Sequence, residues 1–233
     1  MGSTRLPGKV LMPLAGRPML AHVVERMRRT VGLDEVVVAT SLLPEEEPLV
    51  ELCRSLAVRC VRGSPLDVLD RYRQAAAEAE AGTVIRITSD CPLISPQVTR
   101  AVLAAYQTGG CDYCSNCHQR TYPRGLDTEV FSRAALDAAA AEARDPGERE
   151  HVTPFIWRRP QRFRLREVTD PVDRSNLRWT VDTPEDYALA GRIYADMMPD
   201  RPLFDYADVL QLLRQNPDWS ALNAHIEQKK TGR

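Results

Sequence analysis

Apolar positions along the chain alternate between helical and strand spacings. In RPMLAHVVERMRRTV, Leu20, Val23, Val24, Met27 and Val31 recur on one helical face, and the DEVVVATS that follows is a β-branched run ending in small polar residues. The succession repeats. PLVELCRSLA is helical through Leu49, Cys53 and Leu56, and VRCVRG is strand-like. PLDVLDRYRQAAAEAEA is helical through Val68, Leu69, Tyr72 and Ala76, and TVIRITSD is an alternating strand closed by CPLISP. Ser95 before Pro96 and Thr183 before Pro184 are helix starts, the second with acids in its first turn, and each follows a strand. This rhythm predicts an α/β, Rossmann-like, mostly parallel sheet flanked by helices, with any ligand at the carboxyl ends of the strands. The pattern places the α/β domain in residues 1–200, with a less regular stretch around 110–170 that suits an antiparallel insertion. Residues 201–233 carry two short helical patterns, DYADVLQLLRQ and WSALNAHIEQ, as a C-terminal helical extension.

Composition narrows the setting. With 233 residues, 43% hydrophobic and 27% charged, the chain can bury a real core. A formal net charge of -1 gives no overall grip on nucleic acid or an anionic membrane, so an anionic ligand must meet a local patch. No apolar run approaches the roughly 20 residues of a membrane span, and the start lacks the apolar core of a secretory signal, so the cytoplasm is the expected location. The six cysteines are then read as reduced thiols.

The first residues, MGSTRLPGKV, carry the chemistry of a phosphate loop. Gly2, Ser3, Thr4, Arg5, Gly8 and Lys9 offer backbone N–H donors and positive charge without bulk. On spacing alone a surface turn explains them as well, and no GK[ST] follows to make a Walker A loop. Asp90 in ITSDCPLI and Asp182 in TVDTPEDY both fall where strands should end. Either alone reads as a helix cap, but two hard oxygen ligands on neighbouring strand tips can share one Mg²⁺.

Taken together and in order, GSTRLPGKVL, DEVVVATS, GSPLDVLDRY, VIRITSDCPLI, TYPRGLDTEVF, REHVTPFI and RWTVDTPEDY resemble the SpsF-like spore-coat polysaccharide biosynthesis family. These are cytidylyltransferase-like proteins related to the synthetases of CMP-Kdo and CMP-sialic acids. The resemblance runs from residue 2 to about residue 195. It implies a fold of the nucleotide-diphospho-sugar transferase type. It further implies transfer of CMP from CTP, with Mg²⁺, to an acidic or phosphorylated sugar-like acceptor for surface polysaccharide, with release of pyrophosphate. By position, Gly2, Ser3, Arg5 and Lys9 match the triphosphate loop, Lys9 and Arg5 facing the β/γ-phosphates. Asp90 and Asp182 match the metal-binding aspartates. Ser41, Arg62, Gly63, Ser64, Asp67 and Ser89 fall in blocks that line the nucleotide cleft. Arg120, Tyr122, Arg124 and Asp127 fall in the block expected to face the acceptor, with Asp127 a candidate general base; a loop with one buried ion pair is the plainer reading of the same residues. A homodimer is left open.

Two other classes remain: a GT-A-type glycosyltransferase consuming a nucleotide-sugar, although its usual DxD reads SDC here, and a non-catalytic remnant or nucleotide-binding module. The last is raised by a departure from the family, whose members begin with a short apolar strand and an arginine directly before MGSTRLPGK. That strand is central in the sheet, so a start shortened or misassigned relative to the family is expected here.

Other features attract a bland reading. Cys111, Cys114, Cys117 and His118 in CDYCSNCH look like a metal cluster, but strand alternation sets Cys114 opposite Cys111 and Cys117, which favours buried thiols over zinc or iron–sulfur. Cys91 is read as packing rather than as a nucleophile, since no histidine partners it. His151 is read as structural, and RRPQRFRLR as one solvated strand face, alternating with Phe163 and Leu165, rather than an RNA-binding strip.

Overall fold

The computed structural model describes residues 5–228. Gly2, Ser3 and Thr4 of the expected phosphate loop therefore lie outside the described residues. After a 3₁₀ turn at Lys9–Leu11, a small antiparallel hairpin of β1 (Pro13–Leu14) and β2 (Arg17–Pro18) leads into α1 (Met19–Arg28). Leu20, Val23, Val24 and Met27 are buried as their spacing predicts, but the helix stops before Val31, which is 63% exposed. Two β-branched residues followed by Gly32 at φ 90° favour leaving the helix there. Next come β3 (Val37–Ser41), α2 (Glu47–Ser55) and β4 (Arg59–Gly63), and β3 pairs with β4 in parallel.

Then follow α3 (Val68–Glu78), β5 (Thr83–Arg86), α4 (Pro96–Gln107) and β6 (Tyr113–Ser115). After them come β7 (Glu129–Ser132), α5 (Arg133–Glu142), α6 (Pro146–His151), α7 (Pro154–Trp157) and β8 (Leu165–Glu167). The chain closes with α8 (Pro184–Asp200), α9 (Tyr206–Gln215) and α10 (Pro217–Ala221), so the WSALNAHIEQ pattern yields a shorter helix than its spacing suggested. Strands β5, β7, β6 and β8 form one sheet in that order, with β7 antiparallel to β5 and β6, and β8 parallel to β6. The expected antiparallel ribbon is therefore built into the main sheet.

The direction of β5 relative to the β3–β4 pair follows from α3. The end of α3 lies at the start of β4, where Arg59 donates to the Glu78 carbonyl at 3.0 Å. Its first turns lie at the far end of β5, where Tyr72 donates to the Ile87 carbonyl at 3.4 Å. Hence β3, β4 and β5 run the same way and bring their carboxyl ends to one side.

Helices cover the strands on two sides. One core joins α1, α8 and α9 through Val23, Met27, Ile193, Tyr194, Val209 and Leu212, so the C-terminal helices share the core of the α/β domain. A second joins α3 and α5–α7 to Tyr113 and Phe131 of the sheet. Helix starts follow the sequence: Ser95 caps α4, and Thr183 with Asp186 forms a capping box on α8.

Candidate active site

Lys9 is the centre of the site. Its ammonium donates to Asp90 Oδ2 at 2.8 Å, to Asp182 Oδ1 at 2.7 Å and to the Val181 carbonyl at 2.8 Å. The two aspartates converge because their backbones are tied: Val181 N–H donates to the Asp90 carbonyl at 2.8 Å, joining the loop after β5 to the stretch before α8. Burial pulls the Lys9 ammonium toward deprotonation, but Asp90 and Asp182 outweigh it and raise its pKa above the ordinary value. For Asp182, burial alone would favour the neutral acid; Lys9, with Arg178 and Arg5, outweighs it and holds the carboxyl low.

Behind Asp182 stands a group that sequence reasoning missed. Arg178 donates to Asp182 Oδ2 at 2.7 Å and grips both oxygens of Asp186 at 2.9 Å, while Arg5 reaches Asp182 Oδ2 at 3.1 Å. Asp186 in turn accepts the backbone N–H groups of Asp182 and Thr183. From the C-terminal segment, Asn223 donates to the Arg178 carbonyl at 2.9 Å and to Asp186 at 2.8 Å. The only sequence signal was an arginine four residues before Asp182 and eight before Asp186, in a stretch that is not helical and so assigns no common face.

The TYPRG block forms a second cluster beside the first. Arg120 holds Asp127 with two parallel bonds of 2.5 and 2.9 Å. The backbone of Arg124 is bonded to Leu177 and Trp179, but its guanidinium has no hydrogen-bond or ion-pair partner among the described residues. Its pKa is lowered by burial and by the neighbouring Arg120 and Arg178 charges. Gly125 makes this turn feasible: its φ is 101°, and a Cβ there would stand 2.5 Å from the Thr180 nitrogen. Tyr122 is packed into the core, its ring 5.7 Å from that of Tyr206.

Residues expected to line the nucleotide cleft sit at the tips of β3 and β4. Ser41 is buried and accepts the Leu43 N–H at 3.3 Å. Arg62 clamps that turn through the Ser41 and Leu43 carbonyls and Glu47. Gly63 leaves room for Arg71, whose Cγ would lie 2.8 Å from an added Cβ. The carbonyl of Ser64 accepts from Arg71 at 2.6 Å. Asp67 caps α3 and takes Arg149. Ser89 immediately precedes Asp90 and borders the large cavity that lies between β3 and β5.

The remaining features are structural. Cys111 and Cys114 are buried in the same apolar cluster, contrary to the strict alternation expected, because Cys111 precedes the strand. Cys117 lies apart, near Asn116 and the Thr128 carbonyl. The Cys91 thiol is buried against Thr88, and burial pushes its pKa well up. His151 is the last residue of α6. In RRPQRFRLR the strand is only Leu165–Glu167, and Phe163 is buried while Leu165 is 36% exposed, so the two do not share an inner face. Arg159, Arg162 and Arg164 pair with Glu148, Glu142 and Asp112.

A mixed α/β scaffold with an aspartate–lysine–aspartate cluster between the loop after β5 and the stretch before α8, where Asp182 follows no strand although its sequence suggested one, suits a nucleotidyltransferase. A family model described as cytidylyltransferase matches residues 1–227, and the chain belongs to the cytidylyltransferase family. It is 32% identical over 225 residues to the spore coat polysaccharide biosynthesis protein SpsF of Bacillus subtilis, covering 94% of this chain and 92% of that protein. The solved cytidylyltransferase of Leptospira borgpetersenii superposes with a TM-score of 0.88 at 30% identity, over 99% of this chain and 95% of that one. A CMP:2-keto-3-deoxy-manno-octonic acid synthetase solved with CTP shares the fold, with a TM-score of 0.60 at 21% identity, over 84% of this chain and 94% of that one. No helix among the described residues is long and apolar enough to cross a membrane.

Proposed function

We propose that this nucleotidyltransferase moves the cytidylyl group of CTP onto an acidic or phosphorylated sugar-like acceptor, releasing pyrophosphate, in the assembly of a surface polysaccharide. The observation that carries the reading is the Lys9 ammonium held between Asp90 and Asp182. The site thus joins a phosphate-binding cation to two carboxylates that meet at a single cation.

Two carboxylates that share one cation suit Mg²⁺ by the chemistry of their oxygen donors, since it is commonly held by one or two carboxylates and completed by phosphate and water oxygens. Asp90 and Asp182 would hold it. When bound, it supplies positive charge to the reacting phosphate and the departing pyrophosphate. Lys9 and Arg5 leave the carboxylates for the β/γ-phosphate oxygens, and Arg178 keeps Asp182 oriented as they do so. The tips of β3 and β4, with Ser89, face the nucleoside. Arg124 offers its unpaired guanidinium to the acceptor's anionic group. The acceptor oxygen attacks the α-phosphorus, the bond to the bridging oxygen breaks, and pyrophosphate departs. Asp127 has both oxygens engaged by Arg120, and an acceptor arriving as an anion needs no base.

The test is pyrophosphate release from the protein incubated with Mg²⁺, each of the four nucleoside triphosphates and a panel of sugar acids and sugar phosphates. Release with CTP and an acidic acceptor is expected. No release with any pair, from folded protein, overturns the reading, as does sugar transfer from a nucleotide-sugar.

A further inference from the structure

Asn223 is 2% exposed, although it lies outside the helices, in the turn after α10. A buried amide must find acceptors for its N–H groups. Both of the acceptors it finds belong to the surroundings of Asp182: the Arg178 carbonyl at 2.9 Å and Asp186 Oδ1 at 2.8 Å. Oδ1 of Asp186 also takes Arg178 Nε, while Oδ2 takes Arg178 Nη2 and the N–H groups of Asp182 and Thr183. The same Nη2 reaches on to Asp182 Oδ2, and Nη1 goes to Gln228. On its other side the stretch is bridged to the TYPRG block. Arg124 N–H donates to the Leu177 carbonyl at 3.0 Å, and Trp179 N–H to the Arg124 carbonyl at 2.6 Å. One buried side chain from the C-terminal helical segment thus holds the short stretch that carries both Arg178 and the backbone partners of Arg124.

We propose that Asn223 is a positioning residue: acting through Arg178 and Asp186, it sets the carboxylate of Asp182 and keeps Arg124 in register with it. This rests on the nucleotidyl-transfer reading above. Asp182 shares its oxygens among Lys9, Arg5 and Arg178. Once Lys9 and Arg5 turn to phosphate, Arg178 is the cation of these three that stays. Packing alone does not hold it there, since a cavity of about 190 Å³ bordered by Arg178, Trp179, Ser220 and Asn223 gives a loosened guanidinium room to move. Without the Asn223 amide, the Arg178 carbonyl and Asp186 Oδ1 each lose a donor in a buried place. The C-terminal helical segment is then part of the site as well as of the core.

The test uses the full chain carrying Asn223→Ala, Asp182→Asn or both, with Ser220→Ala on the wall of the same cavity as a control expected to match the unaltered protein. Asn223→Leu, which keeps volume without a donor, takes the place of the alanine variant should that one fail to fold. Readouts are kcat and KM for CTP, Mn²⁺ affinity by calorimetry, and exchange of the Asp182 and Thr183 amides in the ligand-free protein. Asn223→Ala is expected to lower kcat and Mn²⁺ affinity each about tenfold. Its KM for CTP should change less than about twofold, because the contacts with CTP itself remain. The two amides should exchange at least about tenfold faster. In the Asp182→Asn background, Asn223→Ala should cost less than about twofold further in kcat, because the group it acts through is already altered. Losses that multiply in the double variant overturn the proposal, as does a lowered Tm with kcat, Mn²⁺ affinity and both amides unchanged. If the unaltered protein releases no pyrophosphate with any substrate pair, the nucleotidyl-transfer reading falls by itself. The two amides then still decide whether Asn223 sets Asp182, and equal exchange in Asn223→Ala and the unaltered protein overturns it.

Discussion

Two carboxylates of this protein, Asp182 and Glu129, are each held by cations, and the contrast between them separates function from framework. Glu129 is 7% exposed at the side chain and accepts from Arg86 of β5, from Tyr113 of β6 at 2.6 Å and from Thr153, in the turn between α6 and α7, at 2.6 Å. Burial works against its charge, but Arg86 with the two hydroxyls outweighs it and holds the carboxyl below its ordinary value of 4.5. Around Asp182 and Asp90, the second partially open at 25% exposure, the central partner is a lysine on a short 3₁₀ turn. A flexible ammonium can be exchanged for another cation or turned to phosphate. A guanidinium locked between strands cannot move without opening the sheet.

The sharpest way to break this contrast is Glu129→Ala. It leaves the Arg86 charge without its carboxylate and should cost about 3–5 kcal/mol, lowering Tm by roughly 6–20 °C for a chain of this size. A melt unchanged within a degree would show that the pair is not framework. At the other cluster, Asp90→Asn and Asp182→Asn should each lower turnover at least about tenfold, about 1.4 kcal/mol of barrier, with a much smaller change in Tm. Full Mg²⁺-dependent activity in both variants would remove them from the site. Lys9→Ala should weaken binding of CTP more than of CMP, by about tenfold, because its charge-assisted contact exists only when β/γ oxygens are present. Calorimetry with both nucleotides decides this, and equal weakening would place Lys9 away from them.

The smallest effect is in pH. Because the Glu129 carboxyl is held low in the folded protein, its contribution is present above 4.5 and is lost as pH falls through the depressed folded value. Glu129→Gln should therefore flatten the acid side of the stability curve below that pH while leaving its shape near neutrality unchanged. Denaturant titrations of both proteins between pH 3 and pH 7, a span of about one unit below to a few above the ordinary carboxylate range, measure the difference. Parallel curves would assign the acid loss to other carboxylates.

Periodicity and punctuation determined the elements from the sequence alone. The branched runs VVVATS and VRCVRG, the apolar face of α1 up to Met27, and the Ser95 and Thr183 caps each depend on neighbours a few residues away, which is the range that local propensity covers. Motif position likewise brought Lys9, Asp90 and Asp182 into view as candidates. Tertiary structure alone decided the rest. That the two aspartates, 92 positions apart, meet on one ammonium depends on a backbone bond between Val181 and Asp90. The importance of Arg178 depends on a loop without a repeat, and the pairing of Arg86 with Glu129 on a register between β5 and β7. The cavity between β3 and β5 arises in the same way. What lies beside a strand is defined in space, and hydrogen bonds between strands carry no signature in the order of the residues that make them.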